Sequence, residues 1–148
     1  MAGVVDFIVK SPEKTIQLLV EAKTSGDSSG RWAAQLRRNL MQYATASTHP
    51  YFILALPDHL YLWKNAGAVG TVPPDFDIDT TSTFKRYAER LGTPLSELGE
   101  NSFELVVRTW LEDLVKGVTT SMGQPSESWV ASSGLSDRIR DGSVSSPP

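Results

Sequence analysis

A small mixed α/β fold is predicted by three features of the chain. Two β-branched, apolar runs stand either side of a short polar link containing a proline, an amphipathic stretch of helix length follows, and a nearly all-apolar run comes after it. Strand, strand, helix, strand in that order is a hairpin running into a βαβ crossover. That order makes the second and third strands parallel, with the outer strands antiparallel to them. The 148 residues suffice for one domain with a modest core.

The first two strands are residues 3–9 (GVVDFIV) and 15–23 (TIQLLVEAK). Pro12, inside the link Lys10-Ser11-Pro12-Glu13-Lys14, cannot join a continuous ladder, so the runs fold back on one another as a hairpin. Residues 24–30 (TSGDSSG) have loop composition. Residues 31–46 carry Trp32, Leu36, Leu40 and Tyr43 at helical spacing, which places Arg37, Arg38 and Gln42 largely on the opposite face. Residues 51–56 form the third strand, apolar enough to be buried on both sides. A turn at Pro57-Asp58-His59 then returns the chain as a fourth strand, 60–64.

Residues 65–79 read as a long loop with Gly67, Gly70 and the Pro73-Pro74 pair. Two further helices follow. Thr81 or Ser82 caps one that ends at Gly92, and Asn101 or Ser102 caps another that ends at Gly117, with Glu104 in its first turn. From Val118 onward Ser, Gly and Pro dominate and periodicity disappears. The expected organisation is therefore one domain over 1–117 and a mostly disordered tail over 118–148.

Composition narrows the function classes. The chain is 40% hydrophobic and 21% charged, in the ordinary globular range, and no apolar run approaches the roughly 18 residues of a membrane span. Its N-terminus lacks a basic region, and Asp6 interrupts the apolar stretch, unlike a signal peptide. Without cysteine there is no thiolate zinc site and no cysteine nucleophile, and a reducing, cytoplasmic location is expected. A net charge of −3 argues against coating nucleic acid through bulk positive charge, but it leaves room for an enzyme that uses a metal ion and a local basic patch. His49 and His59 have no paired-ligand spacing, and Gly67-Ala68-Val69-Gly70 matches neither a phosphate loop nor a dinucleotide fingerprint.

The chemistry concentrates on the hairpin. Residues opposite one another in an antiparallel pair have position numbers with a constant sum. A turn centred between Glu13 and Lys14 makes that sum 27, which sets Asp6 against Glu21 and Ile8 against Leu19. Alternation then puts Lys23 on the same face, two positions beyond Glu21. Side-by-side carboxylates repel unless they share a cation or a proton. A hard divalent ion such as Mg²⁺ takes oxygen ligands of this kind, and the backbone carbonyl of Ala22 offers one more. Lys23 could steady an attacking water or offset charge on a phosphate.

An Asp in one strand, a hairpin, then Glu-x-Lys closing the next resembles the PD-(D/E)xK nuclease superfamily. The stretch VVDFIVKSPEKTIQLLVEAKT is similar to the nuclease segment of type I restriction motor subunits. The resemblance covers about residues 4–64 and implies a restriction-endonuclease-like fold. It also implies Mg²⁺ as cofactor, with Mn²⁺ as a substitute, and DNA as substrate. Asp6 and Glu21 match the two acidic metal ligands and Lys23 the catalytic lysine. Gln35 and Gln42 are both candidates for the helix glutamine that many relatives use to position lysine or water. Arg31, Arg37 and Arg38 would be the local DNA contacts. The family usually opens with a helix that often contributes another carboxylate, whereas this chain starts at the strand, and Val5 replaces the Pro of the motif. A homodimer or a partner supplying that helix is therefore expected.

Two other readings stand beside the enzyme. One is a catalytically inactive nuclease-fold interaction module. The other is a structural α/β domain in which Asp6, Glu21 and Lys23 form a solvated cross-strand ion cluster, the three arginines a solvated helix face, and Gln35 and Gln42 exposed helix positions.

Overall fold

Six strands form one sheet in the order β5-β4-β3-β2-β1-β6. They are β1 (Phe7–Lys10), β2 (Ile16–Ala22), β3 (Tyr51–Ala55), β4 (His59–Trp63), β5 (Phe76–Asp79) and β6 (Ser143–Ser145). The structure is a computed structural model and describes residues 5–24, 30–41, 50–65, 72–117 and 128–146. Pairing is antiparallel throughout except for β2 and β3, which are parallel, as the strand–helix–strand order requires. The mixed α/β class and the expected strand directions are both present.

The hairpin register has the expected sum. Phe7 faces Val20, Ile8 faces Leu19 and Val9 faces Leu18, and a bulge before Lys10 then shifts it to Ile16. Lys14 takes φ 67°, and the turn is closed by the Lys14 N–H donating to the Ser11 carbonyl at 2.8 Å. The bulge absorbs the extra turn residue, so the register is intact at the end of the hairpin that matters for chemistry.

Among the described residues five α-helices cover the two faces. α1 (Gly30–Met41) lies on one side, against Leu19, Phe52, Leu54, Tyr61 and Trp63. On the other side lie α2 (Thr81–Arg90), α3 (Glu100–Val115), α4 (Trp129–Ser132) and α5 (Leu135–Ile139), over Val20, Ala22, Ile53, Ala55, Leu60 and Leu62. β3 contributes to both cores by alternation, which explains its continuous apolar sequence. Within the helical layer Phe84 meets Phe103 and Trp110 edge-on, with ring centroids 5.6 and 5.5 Å apart. Among the described residues no helix is long and apolar enough to cross a membrane.

Three expectations are corrected. The loop assigned to 65–79 contains β5, whose Phe76 and Ile78 are half-buried while Asp77 and Asp79 stay exposed. The tail assigned to 118–148 as disordered is folded over 128–146, where Trp129, Val130, Leu135 and Ile139 enter the core and β6 pairs with β1. The tail's buried side chains are few but large, and β6 completes the edge that β1 would otherwise expose. Third, α1 does not turn Arg37 outward. Among its described side chains Ala33, Ala34 and Arg37 are buried, while Trp32 and Leu36 pack half-buried beside them.

The helix ends fall close to the expected ones. α2 starts at Thr81, whose N–H is taken by the Asp79 carboxylate at 2.9 Å, and Gly92 follows its end at φ 75°. α3 starts three residues before Phe103, with Gly99 at its N-cap, and is followed by Gly117 at φ 73°.

Candidate active site

β2 and β3 are parallel and reach their carboxyl ends together, with Ala22 beside Ala55 and the Lys23 N–H bonded to the Ala55 carbonyl at 2.9 Å. Crevices beyond the carboxyl ends of such strands are where α/β sheets bind ligands. Glu21, Lys23 and Thr24 lie there, and Asp6 joins them from the start of β1.

Asp6 sits where the chain bends into the hairpin. Its N–H donates to the Val20 carbonyl at 2.9 Å, and its Oδ2 accepts the Ala22 N–H at 2.8 Å. The second bond pins the carboxylate across the end of β2. Asp6 is then close enough to hydrogen-bond Glu21, side chain to side chain. Glu21 is largely buried, and its Oε2 lies 3.4 Å from Lys23 Nζ, whose side chain is 39% exposed. The structure thus brings Asp6, Glu21 and Lys23 together.

Two further acids arrive from a helix that sequence reasoning left out of the site. Glu104 of α3 also hydrogen-bonds Asp6. Glu100, one turn earlier, accepts both the N–H and the hydroxyl of Thr24 at 3.2 Å. α3 is held there by Phe103, Val106, Val107, Trp110 and Leu111, all buried in the core shared with Val20 and Ala22. The signal in the sequence is the pair Glu100 and Glu104. Like charges four apart on a helix destabilise it unless something nearby takes them up.

The electrostatics follow from this crowding. Burial pushes the Glu21 carboxyl up to about 8, helped by the hydrogen bond and charge of Asp6 and opposed by Lys23. Burial and Asp6 likewise push Glu104 up to about 7, with Glu100 adding repulsion and Lys23 opposing. Near neutral pH Glu21 and Glu104 therefore hold protons that isolated carboxyls would have released.

The remaining expected site residues are distributed as follows. Gln35 is exposed on α1, about 150° around the helix from the centre of its buried face, so the structure does not bring it to the acids. Gln42 lies outside the described residues, as does the Arg31 side chain. Arg38 is exposed, but Arg37 is 0% exposed and stacks over Trp63 with its guanidinium carbon 6.0 Å from the ring centroid. Arg37 as placed is core, not a phosphate contact. His59 pairs with Asp77 across β4 and β5, and His49 lies outside the described residues. The N–H of Ala22 is committed to Asp6.

Comparison with family models, with curated proteins and with solved structures returns no match for this chain. Among the described residues no three His, Asp or Glu side chains stand arranged to hold a metal ion. The acids are instead drawn onto one another by hydrogen bonds. Their chemistry nonetheless fits a hard divalent cation. The donors are all oxygen and they are partly buried, as a hard cation requires.

Proposed function

We propose that the chain is a metal-dependent nuclease of the PD-(D/E)xK type that hydrolyses DNA phosphodiester bonds. The observation that carries this reading is that Asp6 meets both Glu21 and Glu104, with Lys23 3.4 Å from Glu21, at the carboxyl end of a parallel strand. Asp6, Glu21 and Glu104 would hold Mg²⁺ or Mn²⁺. An ion held there would supply charge against the phosphoryl oxygens and make water a better nucleophile at neutral pH. The chain's own residues do the rest. Asp6 is kept in place by the Ala22 N–H, Lys23 faces the attacking water or the phosphate, and Glu100 braces the α3 end of the site through Thr24.

The test is cleavage of supercoiled and linear DNA in Mg²⁺ by wild type and Lys23→Ala. Wild type should cut and Lys23→Ala should not, while its far-ultraviolet circular dichroism stays unchanged. Cleavage by Lys23→Ala at the wild-type rate would remove the assignment.

A second reading is a catalytically inactive nuclease-fold interaction module. It is favoured by one observation, that the acids bond to each other and are not arranged around a point that a cation could fill. Titration calorimetry with Mn²⁺ separates the two. Heat that disappears in Asp6→Ala supports the enzyme, and no heat from wild type at millimolar concentration supports the module.

A further inference from the structure

A groove of about 1020 Å³ runs along α2, between the turn that follows β3 and the segment 92–98. Neither Glu21 nor Lys23 lines it, so its own walls decide what it can hold.

α2 supplies one wall. Thr81, Lys85 and Glu89 line the groove at steps of four residues, the spacing of a single helical stripe. Asp58 stands at the start of the stripe, its carbonyl accepting the Thr80 N–H at 3.3 Å. Glu89 stands at the far end, about 12 Å along the helix axis from Thr81. The charges therefore run acid, base, acid along the groove. Asp58, Lys85 and Glu89 are all exposed, and among the described residues none of the three side chains enters an ion pair. The carboxyl end of α2, where Gly92 also lines the groove, adds partial negative charge beside Glu89. Arg90 is engaged elsewhere, 3.8 Å from the Asp113 carboxylate and over the Tyr87 ring.

The rest of the lining is neutral. Leu56, Pro57, Pro94, Leu95 and Leu98 give aliphatic surface, and Thr93 and Ser96 give hydroxyls. The N–H groups of Thr93, Glu97 and Leu98 are committed to carbonyls within the protein, so an added strand finds no ladder of free donors along this wall. Recognition falls to side chains. A nucleic acid would bring its phosphates against two carboxylates and a single lysine, which is the wrong sign.

We propose that the groove docks an extended segment of a protein partner that carries two basic side chains four residues apart. An extended chain rises about 3.3 Å per residue, so such side chains lie about 13 Å apart on one face and reach Asp58 and Glu89 together. The side chain midway between them, on the same face, meets Lys85 and bears a hydroxyl or a carboxylate. The two that alternate with these are aliphatic and meet the leucine and proline walls. The proposal is independent of the nuclease reading, because no residue of the carboxylate cluster lines the groove.

The test uses the full chain and fluorescein-labelled synthetic peptides in fluorescence anisotropy. GGKLSLKGG carries the proposed pattern, and GGELSLEGG reverses its charges. The basic peptide should bind saturably and about tenfold tighter than the acidic one. Ser96→Trp, which fills the groove at an exposed position, should abolish that binding. Glu89→Lys should weaken it about tenfold, and one of the singly reversed peptides, GGKLSLEGG or GGELSLKGG, should recover the loss. Circular dichroism shows whether each variant has folded. No binding of the basic peptide overturns the proposal, as does equal affinity for the two charge patterns, or a preference that folded Ser96→Trp and Glu89→Lys both keep. A wild-type dimer in sedimentation equilibrium that Ser96→Trp turns into a monomer would give the groove to a second copy and also overturn it.

Discussion

Thr24 gives both its backbone N–H and its hydroxyl to one oxygen of Glu100, each at 3.2 Å. This pair ties the end of β2 to the first turn of α3 and so sets Glu104, one turn on, against Asp6. Thr24→Val removes the hydroxyl bond without altering charge. Because the pair is exposed, urea unfolding should lose no more than about 1 kcal/mol. Mn²⁺ affinity measured by calorimetry should nevertheless weaken several-fold, because Glu104 is less firmly placed. Unchanged affinity would separate α3 from the proposed metal site.

Stability should fall as pH rises in the absence of divalent ions. Glu21 is raised to about 8 in the folded protein from an ordinary 4.5, so the folded state keeps a proton that the unfolded chain releases between those values. The stabilisation is then fullest below the unfolded value and is lost as pH climbs toward the folded one. Glu104, raised to about 7, acts in the same direction over a narrower window. Urea midpoints with chelator should therefore decline from about pH 5 to pH 8, and Glu21→Gln should flatten that slope. Added Mg²⁺ should recover the midpoint at the alkaline end if it binds the folded acids.

Much of this site was legible before any coordinates. The Asp6–Glu21–Lys23 face follows from a turn position and an alternation rule, and neighbouring β-branched residues leave little freedom to slip the register. Glu104 was not legible as a site residue. Its place depends on α3 docking over β2, a contact between segments far apart in the chain. β5 hid for a different reason. Phe76-Asp77-Ile78-Asp79 does alternate, but its length and its acids suit an edge strand and a loop equally well. α4 and α5 have four and five residues, too few to form helices alone, so only tertiary packing holds them.

That packing can be measured. Trp129 is 5% exposed and its ring lies 6.1 Å from that of Trp110. Trp129→Ala should cost about 3–5 kcal/mol in urea unfolding, the usual range for a buried aromatic. A loss below about 0.5 kcal/mol would mean that 128–146 contributes little to the fold.

Arg37 and Arg38 are adjacent and should behave oppositely. Arg37 is buried over Trp63, where desolvation pulls its guanidinium below the usual range, whereas Arg38 is exposed. Arg37→Ala should destabilise the fold and leave the salt dependence of DNA binding unchanged. Arg38→Ala should leave stability within about 0.5 kcal/mol, and any phosphate contact it makes should appear as a loss of about one in the salt slope.

The pairing of Ile8 with Ser145 reaches across nearly the whole chain. Asp6 stands two residues before Ile8, so the strand that presents it gains its outer neighbour only after residues 143–145 have been synthesised. Sheets closed by such distant partners fold slowly, because the loop must be shut before the contacts are made. On the ribosome the first acid of this site is therefore made early and secured late. A nascent chain stalled short of β6 carries the residues of the proposed nuclease before the frame that holds them is complete.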